Sequence, residues 1–113
     1  MKTGKAVGKG VAPIPEGYHT ITSSLAVRGG EKAIEFYKKA FGAEELGRMY
    51  DLDGQMIVHA ELRIGDSRIF LSEESPAFGT RSPESLGGTA ATFYLYVEDA
   101  DAVFRKPLPP ARK

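Results

Sequence analysis

The chain has 113 residues, no cysteine, and 15 basic against 15 acidic side chains, so its formal net charge is zero. That length supports one domain with a small core. The charge balance excludes a basic nucleic-acid surface, the missing thiols exclude disulfides, thiolate metal sites and cysteine nucleophiles, and no apolar run reaches membrane-spanning length.

Residues 1–17 are rich in Gly, Lys and Pro and have no periodicity, which predicts an N-terminal tail. The tail lacks the apolar middle of a signal peptide, so a cytoplasmic location is expected, with neither membrane nor nucleic acid as a partner. Its G-K-A-V-G-K-G run is one residue short of a phosphate loop and lacks the hydroxyl, strand and helix that such a loop needs. Residues 18–28, with Thr20, Ile21, Thr22, Leu25 and Val27, predict a first strand that Gly29 and Gly30 break. A helix follows over residues 31–41. Ala33, Ile34, Tyr37, Ala40 and Phe41 form its apolar stripe, and Phe36 widens it. Glu35 and Lys39 are spaced for an i,i+4 pair, and Gly42 is the expected terminator.

Residues 45–51 and 55–64 read as a hairpin across D-L-D-G, and residues 68–73 as a further strand after Gly65 and Asp66. In the long strand, alternation sets Met56, Val58, Ala60, Leu62 and Ile64 toward the helix. Gln55, Ile57, His59, Glu61 and Arg63 fall on the other side. Residues 74–88 are a Ser-, Pro- and Gly-rich connection, and Glu73 and Glu74 are expected in solvent. Residues 89–97 predict another strand and residues 98–104 the start of a second helix. Pro107, Pro109 and Pro110 cannot continue that helix, so residues 105–113 read as an irregular tail. The predicted class is α+β: a βαβββ module over residues 18–75, a linker over 76–88, and an incomplete second module (strand and start of helix) over 89–104.

Three stretches carry a resemblance: A-I-E-F-Y-K-K-A-F-G-A-E, G-Q-M-I-V-H-A-E-L-R-I-G-D-S and T-F-Y-L-Y-V-E-D-A-D-A-V-F. In this order they resemble the vicinal oxygen chelate superfamily of glyoxalase, bleomycin-resistance and extradiol-dioxygenase relatives. H-A-E-L at residues 59–62 resembles its PhnB-like branch. The resemblance implies a curved sheet whose concave side is the site. It also implies that relatives extend the second helix and add further strands. The abrupt Pro-rich ending therefore leads us to expect a truncated or frameshifted frame, with a natural short variant as the alternative. The family's metal-ligand positions map onto Thr22, Phe70 and Thr92, and neither Thr nor Phe is an adequate ligand for a divalent metal. His19, three residues before Thr22, would point to the opposite face of a regular strand. No cofactor is expected.

His59 and Glu61 share one strand face, and two readings stay open for them. Either His59 hydrogen-bonds within the sheet while Glu61 pairs with Arg63 or Arg68, or His59 is a general base or ligand donor whose tautomer Glu61 sets. By the resemblance, Tyr94 and Tyr96 share a cavity-facing side with Thr92, where they would either stack on a small planar ligand or fill space left by missing metal ligands. Phe93, Leu95 and Val97 would pack against a helix. Three functions follow. The favoured one is a metal-free module that binds a small organic molecule through Thr22, Phe70, Thr92, Tyr94 and Tyr96, as a homodimer or a segment-swapped oligomer. The second is a divalent-metal-dependent lyase, isomerase or dioxygenase, and the third a truncated, non-functional remnant.

Overall fold

The computed structural model describes residues 12–105. The phosphate-loop-like run and the Pro-rich tail expected from the sequence lie outside the described residues, apart from the ends of the two tails. The elements run β1 (Ser23–Val27), α1 (Gly30–Phe41), β2 (Glu44–Tyr50), β3 (Ile57–Ile64), β4 (Ser67–Glu73), α2 (Pro83–Leu86) and α3 (Ala100–Phe104). A 3-10 turn at Pro76–Phe78 precedes α2. The first five elements are the expected βαβββ module. They form one four-stranded sheet in the order β1-β4-β3-β2, with β1 parallel to β4 and the other pairs antiparallel. No helix among the described residues is long and apolar enough to cross a membrane.

Helix α1 covers one face of the sheet. Ala33 and Ile34 pack into a core with Val27, Ile57, Ala60, Leu62 and Leu71, while Leu25, Tyr37 and Ile69 close its margin. Phe41, assigned to the stripe from its spacing, is instead exposed, its ring lying against those of Phe36 and Tyr37 at 6.3 and 6.1 Å. Gly30 begins the helix where a Cβ would stand 3.0 Å from side-chain atoms of Glu73 and Ile57, so glycine lets helix and sheet approach without displacing those side chains. Gly42 terminates it, donating its N–H to the Lys38 carbonyl at 3.0 Å. The expected Glu35–Lys39 pair does not form. Lys38 lies between Glu35 and Glu45, 3.5 Å from each, because strand β2 brings a second carboxylate to that side of the helix.

Two irregularities in the β2–β3 ladder correct the alternation read from the sequence. Glu45 pairs with Leu62 but Gly47 with Glu61, which leaves Leu46 extra on β2. Met49 pairs with His59 but Tyr50 with Ile57, which leaves Val58 extra on β3. A single unpaired residue reverses the side-chain sense of everything beyond it. Ile57, expected opposite the helix with His59, is therefore turned into the core and fully buried. Val58 loses its expected place beside Ala60 and is only half-buried.

The connection after β4 is more ordered than its composition predicts. Neither Glu73 nor Glu74 is left to solvent. Glu73 Oε2 accepts the Ile57 N–H at 3.2 Å, and Glu74 Oε1 accepts the Ser82 N–H at 2.8 Å. Ser82 is fully buried and caps α2 by accepting the Ser85 N–H. Residues 89–97 form no strand among the described residues. A strand needs a neighbour to take its backbone hydrogen bonds, and none of the described elements lies alongside. The predicted second helix does begin, as α3, with the Asp99 side chain accepting the Ala102 N–H at 3.0 Å.

Candidate functional site

The face of the sheet opposite α1 carries a cluster of polar and aromatic side chains. Ile69 and Leu71 of β4 point into the core, so Phe70 between them points out on the open side. Phe70 is in register with Ser24 of β1 and with Glu61 of β3, and His59 lies two residues before Glu61. Alternation past the Val58 bulge therefore sets His59, Glu61 and Phe70 on one surface.

The segment before β1 then folds back across this surface. A turn in which Tyr18 donates its N–H to the Pro15 carbonyl at 3.0 Å reverses the chain, and Gly17 takes a φ of 88°, in the left-handed region that favours glycine. Tyr18, which the sequence places at the head of the first strand, thereby becomes a strap over the face. Its hydroxyl donates to Glu61 Oε1. Its ring lies 6.0 Å from that of Phe70, and the Arg68 guanidinium sits over it, 4.7 Å from the centroid. The His59 ring stands 4.7 Å from Phe70, with Nε2 at 3.2 Å from Glu61 Oε2.

Glu61 is the centre of this cluster. It accepts from Tyr18 through one oxygen and meets His59 at the other. The Tyr18 hydroxyl first, then the His59 ring, hold its carboxyl below the usual carboxylate range. Neither expected arginine bonds to it. Arg63 pairs with Glu44 across the sheet, and Arg68 is taken up by the Tyr18 ring. A carboxylate has about four acceptor positions, so these contacts leave room for further donors.

Among the residues singled out from the sequence, the structure brings His59, Glu61 and Phe70 together. Thr22 is half-buried just ahead of β1, two residues before Ser24, the register partner of Phe70. Thr92, Tyr94 and Tyr96 do not join them: all three are exposed in the unpaired segment, Tyr94 by 80% and Tyr96 by 92%. Phe93, Leu95 and Val97 pack under no helix and are exposed as well. Sequence reasoning missed Tyr18, whose only signal was its position between a Gly and a His, and it expected Arg68 to pair with Glu61 rather than to sit over a tyrosine ring.

The donor set does not fit the divalent metal that the resemblance implies. His59 and Glu61 are two donors on one strand, Glu61 is shared with Tyr18, and the third member of the cluster face is a phenylalanine. Among the described residues, no three His, Asp or Glu side chains converge. His19 is exposed and lies before β1.

A βαβββ sheet with a helix on one face and a polar–aromatic cluster on the other defines a class, and the sequence comparison agrees with it. Residues 17–106 match the family model described as Glyoxalase/Bleomycin resistance protein/Dioxygenase superfamily, and the chain belongs to that superfamily. It is similar to uncharacterized protein Mb0911c of Mycobacterium bovis, 44% identical over 91 residues that cover 78% of this chain and 59% of that protein. Uncharacterized protein Rv0887c of Mycobacterium tuberculosis is equally similar, at 44% over 78% of this chain and 53% of its own length. The chain thus spans little more than half the length of these relatives. The X-ray structure of an Arabidopsis thaliana gene product, AT5G48480, superposes with a TM-score of 0.58 at 30% identity, covering 76% of this chain and 67% of that one.

Proposed function

We propose that this chain is a PhnB-like member of the superfamily that binds a small planar organic molecule on the open face of its sheet, without a metal in the contact. The observation that carries this reading is the Tyr18–Glu61–His59 cluster on the Phe70 floor. Phe70 and His59 offer ring faces on which a planar molecule can stack. Glu61 offers a carboxylate held in its charged form, an acceptor for N–H donors or a cation. The chemistry selected is therefore an aromatic or amidine-like molecule that donates hydrogen bonds. If the bound molecule also carries an acidic proton, His59 is the group placed to accept it, with Glu61 orienting the ring.

The test is calorimetric titration of the purified protein with benzamidine, and with benzoate as the same ring bearing the opposite charge. Benzamidine should bind and benzoate should not. Glu61→Gln should weaken benzamidine by about tenfold, the loss expected for one charge-assisted hydrogen bond. Equal binding of both probes, or benzamidine binding indifferent to both Glu61→Gln and Phe70→Ala, would remove the basis for this reading.

A further inference from the structure

The segment that crosses the open face is held there by one side chain. Alternation predicts a strand from residue 18, but β1 begins only at Ser23, and residues 12–21 join no ladder of the sheet. All of these residues are exposed except Tyr18, which is half-buried. Apolar packing does not hold the segment either, since Ile14 and Ile21 are 49% and 83% exposed. What remains is the tyrosine, with its hydroxyl on Glu61, its ring beside Phe70 and the Arg68 guanidinium above it.

Those are the contacts of a ligand. The Tyr18 side chain is a flat ring that lies against the Phe70 floor and donates one hydrogen bond to Glu61. The Arg68 guanidinium is turned to the face of that ring rather than to Glu61, an arrangement that favours an aromatic occupant over an aliphatic one. A ring arriving from solvent that uses both Glu61 and this side of Phe70 meets Tyr18 already in its place.

We propose that Tyr18 is an internal ligand of this site, and that the site takes phenol-like molecules, planar rings with a hydrogen-bond donor, which enter by displacing the tyrosine. The proposal rests on the open-face binding role given above. Tyr18 then lowers affinity for such molecules instead of adding to it, because only the fraction of protein with the tyrosine released can bind. Release breaks no ladder, so the sheet stays intact while the segment ahead of β1 moves off. Gly17 belongs to the same latch. Its φ of 88° favours glycine, and a Cβ there would stand 2.5 Å from Arg68 Nη2. An alanine at that position strains the turn and pushes the guanidinium off the ring, which releases Tyr18 without altering it.

The probe is p-cresol, the tyrosine side chain as a free molecule, titrated calorimetrically beside its methyl ether, which cannot donate a hydrogen bond. The ether should bind about tenfold more weakly than p-cresol, the loss of one charge-assisted hydrogen bond. With about one molecule in ten released, Tyr18→Ala and Gly17→Ala should each bind p-cresol about tenfold more tightly than the wild type. Adding Glu61→Gln to Tyr18→Ala should remove that gain. Unchanged or weaker p-cresol binding in either single variant would overturn the internal ligand, and equal binding of the ether would overturn the phenol-like class. Benzamidine separates this proposal from the binding role beneath it. Glu61-dependent benzamidine binding with no gain in Tyr18→Ala or Gly17→Ala overturns the internal ligand alone, whereas no binding of either probe to any of these chains overturns both.

Discussion

Glu74 shows how one side chain can organise a stretch that composition marks as a loop. Its carboxylate accepts the buried Ser82 N–H and reaches Arg28, whose Nη2 donates to Ser85 Oγ at 2.8 Å. The Ser82 backbone N–H above all, then Ser85, hold the Glu74 pKa down from 4.5 to about 2. A depressed carboxylate adds stability that is complete above its unfolded value and disappears as pH falls through its folded one. Between about pH 4.5 and 2 the wild type should therefore lose urea resistance, and Glu74→Ala should show a flatter acid limb over that window. The same variant should speed hydrogen exchange at the Ser82 and Ser85 amides while leaving β3 protected. Unchanged exchange there would show that Glu74 does not tie the segment.

At the scale of elements, the ladder rather than the residue pattern decides which side chains are core. Alternation assigns Ile57 to the open face with His59, whereas the Val58 bulge buries it against Ala33 and Ile34. Ile57→Ala should therefore cost about 2–5 kcal/mol in urea denaturation, the range for truncating a buried aliphatic side chain. A loss near zero would return Ile57 to the surface. The helix, the hairpin and β4 were legible because apolar spacing and turn residues are local properties. The bulges were not, since an unpaired residue is defined by the strand opposite, from which it is far apart in sequence. The site divides the same way: His59 and Glu61 were found because they share a strand, while Tyr18 meets them only after the chain folds back at Gly17.

For the whole molecule, the contrast lies between an ordered four-stranded module and the exposed run after it. Leu52 and Phe78 are exposed too, but they sit in hydrogen-bonded turns, which resist the extended backbone a protease requires. Chymotrypsin acting on dilute protein should therefore cut first at residues 93–96, leaving a protected fragment that contains β1 to β4. First cleavage within α1 or β3 would contradict the described order of stability.

What the sequence determined by itself is what depends on neighbours along the chain: a βαβββ order, an amphipathic helix ended by Gly42, a hairpin across Asp51 to Gly54, and a same-face His59–Glu61 pair. Tertiary structure decided everything that needs two distant segments to meet. It turned Ile57 inward, laid Tyr18 over Phe70, engaged Glu73 and Glu74, and left residues 92–97 without a strand to pair with. The physical reason is that periodicity records which way a side chain points relative to its own backbone. Only the pairing of strands determines which backbone it then faces.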